Sequence, residues 1–196
     1  MEPTAADPRA AIATPTRSGS VGGRQVAVFD GLLAAADVAR YVELLNRAPF
    51  TRTEVARPDT AGHKHWVSEM AVAGFLKLPL WTATESAVGA LRPGERYRPY
   101  RAYTNHAAFG DMLFTHTDCL PDQRELTALW FLCEQWDTEW GGETLFFSDD
   151  GDAQFVASPR PGRLVVFDGA IRHAGRPPNR VCYQPRYTFA AKLEPA

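Results

Sequence analysis

Apolar and polar positions along this chain change their period near residue 97. Before it, Val38, Tyr41, Val42 and Leu45 recur at i, i+3, i+4 and i+7 and predict one amphipathic helix, ended before Pro49. Ahead of that helix, "QVAVFDGLL" reads as a short strand leaving through Asp30-Gly31. Further helical pieces are expected at 71–77, stopped by Pro79, and at 82–91, stopped by Pro93-Gly94. After Tyr97 short runs alternate with turns such as "LPDQ", "EWGGE", "SDDGD" and "SPRPG". Strands are expected at 98–104, 112–117, 125–133, 143–147, 154–157, 163–168 and 186–193. Regular strands after a helical start predict a mainly β fold with N-terminal helices, a sandwich or jelly roll.

Two stretches lack either period. Residues 1–23, rich in Ala, Pro, Thr, Ser and Gly, are expected to be a disordered tail, which leaves 24–196 as a single domain. Residues 50–70 are polar and mixed, and read as a long loop or lid.

Composition narrows the function classes. A net charge of −2 gives no electrostatic reason to expect nucleic acid or an anionic membrane as partner. No apolar run approaches the roughly 18 residues that suggest a membrane helix. The opening residues hold no apolar core of a secretory signal. Cys119, Cys133 and Cys182 are odd in number and lack CxxC spacing, so they read as reduced thiols of a cytoplasmic protein.

Candidate chemistry begins at "FTHTDCL". Side chains at i and i+2 of a strand leave the same face, so His116 and Asp118 are expected to converge. A buried carboxylate beside an imidazole is costly unless the two are paired or hold a metal. His173 follows in "VVFDGAIRHAG", just past an apolar strand. Two imidazoles and one carboxylate make a facial triad that leaves open positions on a non-haem Fe(II), although zinc uses the same donors. "PRYTFAAKL" then puts Arg186 and Thr188 on one strand face, with the alternation running on through Ala190. A guanidinium on an apolar face needs an anion, and its planar fork fits a carboxylate. Iron beside an arginine-anchored carboxylate is the arrangement that 2-oxoglutarate requires.

"HTD", "WGGETLFF", "PRPGRLVVFDGAIRHAG" and "PRYTFAAKL", in that order, resemble the prolyl-hydroxylase-like branch of the Fe(II)/2-oxoglutarate-dependent dioxygenases. The likeness covers about 97–193, with a weaker echo at 25–47. It implies a double-stranded β-helix, a jelly roll of cupin type, with Fe(II) held by His116, Asp118 and His173. It also implies that 2-oxoglutarate is the cosubstrate and O2 the oxidant, with the far carboxylate of 2-oxoglutarate on Arg186 and Thr188, and that Tyr103 of "RAYTN" reaches the cosubstrate. The 141–144 turn is expected to be structural. Two departures stand out. "RPPNRVCYQP" lengthens the spacing from His173 to Arg186, and Phe131 stands where some relatives offer a tyrosine hydroxyl.

Substrate contacts are expected from the 50–70 segment, at Thr51, Arg52, His65 and Trp66, and from Trp130. Asp168 or Arg172 is expected to orient His173, and His106 to lie in a loop or at the entrance. Three functions fit: hydroxylation of a small molecule such as an amino acid or natural-product intermediate, prolyl hydroxylation of a protein, and non-catalytic binding by a cupin-like pocket.

Overall fold

The computed structural model describes residues 12–196, and among these eleven strands form two antiparallel sheets. The strands are β1 (Arg17–Val21), β2 (Arg24–Phe29), β3 (Thr51–Glu54), β4 (His65–Met70), β5 (Tyr97–Ala107), β6 (Leu126–Phe131), β7 (Thr144–Phe147), β8 (Ala153–Ala157), β9 (Arg163–Asp168), β10 (Arg172–Gly175) and β11 (Arg186–Pro195). The large sheet runs β1-β2-β9-β6-β11-β5-β4-β3, and the small one β10-β7-β8. Together they make the double-stranded β-helix that the sequence resemblance implied, a mainly β fold with few helices.

Alternation along the large sheet sorts two cores onto its two faces. Phe189, Ala191 and Leu193 of β11, with Trp130 of β6 and Leu164 and Val166 of β9, join one core. Helices α1 (Ala35–Leu45), α2 (Val72–Phe75) and α3 (Pro79–Leu91) supply its cover through Tyr41, Phe75, Leu80, Ala87 and Val88. The second core lies on the opposite face. There Leu129, Phe131, Val165 and Phe167 of the large sheet meet Phe146 and Phe155 of the small one. The α1 periodicity therefore served its expected purpose. Pro79 acts differently from expectation: it opens α3 at the first helical position, where a missing N–H is harmless, so that helix starts before residue 82.

Three expectations are corrected. Residues 17–21 of the expected tail form β1, which zips onto β2 from Arg17↔Val28 to Val21↔Arg24; residues 1–11 lie outside the described residues. The expected loop at 50–70 holds β3 and β4, which extend the large sheet from β5. The expected strand at 112–117 is instead a loop. Only His116 pairs there, through two backbone hydrogen bonds with His173 that extend the β10 edge.

Candidate active site

The His116–His173 bridge puts the two imidazoles side by side at the small sheet's edge, with ring centroids 4.4 Å apart. Asp118 is turned towards them from the same loop, because its N–H donates to the Gly169 carbonyl at 2.7 Å. A side chain at Gly169 would meet Cys119 Sγ at 3.0 Å and Asp118 Cβ at 3.5 Å, so glycine permits this close crossing. His116 Nε2 lies 3.3 Å from Asp118 Oδ1, and His173 Nε2 3.7 Å from Oδ2. One ligand atom from each residue falls within 4.8 Å of the others.

Both imidazoles are oriented in the same way. Nδ1 of His116 is 2.9 Å from the Phe114 carbonyl oxygen, and Nδ1 of His173 is 2.9 Å from that of Ile171. With Nδ1 turned to a backbone carbonyl, Nε2 is the nitrogen that each ring directs at the centre, the orientation that a metal ligand needs. The orienting group of His173 is thus a carbonyl. Asp168 instead pairs with Arg24 and Arg92, and Arg172 is exposed. Burial pushes the His173 pKa down to about 4, against the pull of Asp118. Burial alone would raise the Asp118 pKa, but Lys192, His173 and His116 outweigh it and hold the carboxyl well below its usual range.

Arg186 lies deep in the same cavity, with 2% of its surface exposed. Three of its guanidinium N–H groups are engaged: Nε donates to the Gly142 carbonyl, and the two terminal nitrogens donate to the hydroxyls of Thr188 and Thr144. No ion pair reaches it among the described residues, and burial lowers its pKa to about 10, with nearby Glu143 offsetting part of the effect. Phe131 contributes its ring face, 5.2 Å from the guanidinium carbon. Gly175 keeps the space beside the fork open, since a Cβ there would stand 3.2 and 3.3 Å from the two terminal nitrogens. Gly142 sits at φ 83°, where a Cβ would press on Trp136 at 2.9 Å and on Arg186 Cδ at 3.3 Å. The glycine turn expected to be structural therefore also seats the arginine. The longer 176–185 connection packs on that turn, with Arg176 N–H donating to Glu143 O and Asn179 N–H to Trp140 O.

Two converging imidazoles beside a carboxylate fit a divalent metal. A buried, uncompensated guanidinium facing an open cradle fits a carboxylate ligand.

Register explains which other residues enter. On β11, Thr188 pairs with Asn105 and Phe131, Ala190 with Tyr103 and Leu129, and Lys192 with Arg101 and Thr127. Tyr103 thus lines the cavity, under the Arg101 guanidinium. His65 and Glu54, paired across β3 and β4, also line it. Arg52 and Trp66 do not; they pair with each other, and Arg52 donates to the Lys64 carbonyl and meets Asp111. Trp130 is a correction: it is fully buried in the core under the helices, donates to Thr84 Oγ1 at 3.0 Å and is separated from the cavity by its own sheet. His106 packs against Phe50 and Tyr187 on that same outer side.

Sequence reasoning missed Lys192, Thr127, Asn105 and Glu54. Lys192 was findable, because the alternation Arg186, Thr188, Ala190 continues to it after two more residues.

Residues 99–191 match the family model of the 2OG-Fe(II) oxygenase superfamily. The comparison with curated proteins gives no significant match. Among solved structures, a prolyl-4-hydroxylase from Pseudomonas putida is similar at 16% identity and TM-score 0.64, over 86% of this chain and 91% of that one. HygX from Streptomyces hygroscopicus, solved with nickel, 2-oxoglutarate and hygromycin B bound, is similar at 13% identity and TM-score 0.61, over 87% and 83%. A prolyl hydroxylase from Trichoplax adhaerens, in complex with a hypoxia inducible factor peptide fragment, follows at 16% identity and TM-score 0.59, over 86% and 83%. No helix among the described residues is long and apolar enough to cross a membrane. Residues 99–191 are a 2OG-Fe(II) oxygenase domain, prolyl-hydroxylase-like in fold, and the protein is an iron- and 2-oxoglutarate-dependent dioxygenase.

Proposed function

We propose that this dioxygenase hydroxylates an unactivated C–H bond of a small polar molecule, such as an amino acid or a natural-product intermediate. In this reading His116, Asp118 and His173 hold Fe(II), and Arg186 with Thr188 holds the far carboxylate of 2-oxoglutarate. Iron with 2-oxoglutarate and O2 supplies the oxidation, one oxygen atom going to the substrate and the other to succinate as CO2 leaves.

The observation that favours a small polar substrate is the wall opposite the imidazoles. Glu54, Val55, Ala56 and His65 bring the β3–β4 hairpin over the cavity. Nδ1 of His65 and Oδ1 of Asn105, both cavity-lining residues, are buried without a hydrogen-bond partner. Buried polar atoms left unpaired are costly, and a ligand bearing matching polar groups would relieve them. The apolar side of the cavity, Leu113, Leu129 and Phe167, would keep water from the reacting carbon.

The test is a screen of amino acids and polar metabolites, alongside proline-containing peptides, for stimulated succinate formation by the Fe(II)-loaded protein. Stimulation by a small polar compound is expected. Stimulation by peptides alone would overturn the small-molecule reading.

A further inference from the structure

β11 carries two buried cations on one face, and only one of them lacks an anion. Arg186 has no carboxylate, whereas Lys192, 8% exposed, has its ammonium against Asp118 Oδ2. The same oxygen accepts from Thr127 Oγ1 at 2.5 Å, and Lys192 Nζ also donates to that hydroxyl at 3.2 Å. Asp118 Oδ2 is therefore engaged twice by protein donors. Oδ1 has only the His116 ring nitrogen beside it.

We propose that Lys192 is a positioning residue that, together with Thr127, holds Oδ2 of Asp118, so that Oδ1 is presented to the metal and the three ligands stay assembled when no metal is bound. This rests on the ligand assignment above and is independent of the substrate. The Asp118 side chain is 6% exposed. With neither metal nor counter-charge, a carboxylate so buried would take up a proton or swing towards solvent. Lys192 supplies the missing charge, and its strand fixes the direction from which it comes. Thr127 lies directly across from Lys192 on β6, so the pair of donors is set by sheet register and not by a loop. Holding Oδ2, which also lies 3.7 Å from His173 Nε2, fixes the carboxylate plane and leaves Oδ1 turned towards His116, which is the role of outer partners at metal sites.

The experiment uses the full chain, with and without saturating Mn(II), in thermal unfolding. Lys192→Met should lower the melting midpoint of the chelator-treated protein by on the order of 10 °C, the scale for orphaning a buried charge in a domain of this size. Mn(II) should recover most of that loss, so the metal-induced shift becomes larger in the variant than in the wild type. Lys192→Arg should keep most of the wild-type midpoint. Equal losses with and without Mn(II) would show that Lys192 only fills space, and would overturn the proposal.

Two controls separate the alternatives. The 2-oxoglutarate Kd of the Mn(II)-loaded Lys192→Met protein should stay within about threefold of wild type; a hundredfold rise would reassign Lys192 to the cosubstrate. If Lys192→Met does not fold, the double variant Asp118→Asn/Lys192→Met, which removes both charges, should fold, and its failure would also overturn the proposal. The ligand assignment is tested separately by His116→Ala, which should abolish the Mn(II) shift. A shift retained in that variant counts against the ligands and not against Lys192's hold on Asp118.

Discussion

Arg186 makes its three polar contacts with neutral oxygens, from Gly142, Thr144 and Thr188, inside a cavity that offers it no carboxylate. Its charge is left for a ligand to answer. Truncating one partner of such a buried ionic contact costs on the order of 3–5 kcal/mol. Arg186→Ala should therefore raise the 2-oxoglutarate Kd by at least about a hundredfold, read by calorimetry on Mn(II)-loaded protein. Arg186→Lys should recover only part of this, since an ammonium cannot make the forked contact. Phe131 lends a ring face and no hydroxyl, so nothing at its position shares the anchor. His173 gives a second test at this scale. Its pKa is pushed by burial from 6.5 to about 4 in the folded protein. Below pH 6.5 the unfolded chain takes up a proton that the folded imidazole refuses until about pH 4, so stability falls as pH falls across that window. At about 1.4 kcal/mol per pH unit the loss is on the order of 3 kcal/mol. Urea unfolding of metal-free wild type and His173→Gln should differ by a gap that shrinks by about that amount between pH 6.5 and pH 4.

Among the elements, the β3–β4 hairpin shows most clearly where pattern reading succeeds and where it stops. The apolar strands β6, β9 and β11 were legible because both their faces meet cores. His65 is buried on β4, across from Glu54 of β3 and near Asn105 of β5, so the part of the hairpin that meets the cavity is largely polar. A rule that expects apolar side chains inside cannot find a strand whose inside is a binding site. The 112–117 segment failed the other way: it alternates plausibly, yet only His116 finds a ladder partner. The convergence of His116, Asp118 and His173 was legible although the strand expected for the first two is a loop, and Arg186 lies within a readable strand. Asn105 and Thr127 acquire meaning only from register, which the sequence does not display. The hairpin carries its own prediction. His65→Leu should raise the substrate KM by about tenfold, the scale of one lost polar contact of about 1.4 kcal/mol. Substrate-free consumption of 2-oxoglutarate should stay within about twofold; an equal fall in both would make His65 a support of the fold.

For the molecule as a whole, the large sheet acts as a partition. One face is a helix-covered core and the other holds the chemistry, so damage on one side should leave the other intact. Trp130 tests this. Trp130→Phe removes the donor to Thr84 and leaves a small void, and should cost on the order of 1–3 kcal/mol in urea unfolding while the 2-oxoglutarate Kd changes by less than about twofold. A large change in that Kd would mean that the partition leaks.

The place of β11 in the sheet sets an order of events during synthesis. It lies between β5 and β6, pairing with both, yet it is made about sixty residues after β6 and eighty after β5. Until residues 186–195 have left the ribosome, β5 and β6 each present an unpaired edge, the kind of surface on which chains join one another. The strand that closes this gap is also the one that carries Arg186 and Lys192. A nascent chain thus reaches its closed sheet and its two buried cations in the same step, and a message cut short before Pro185 yields a sticky, chemically inert product.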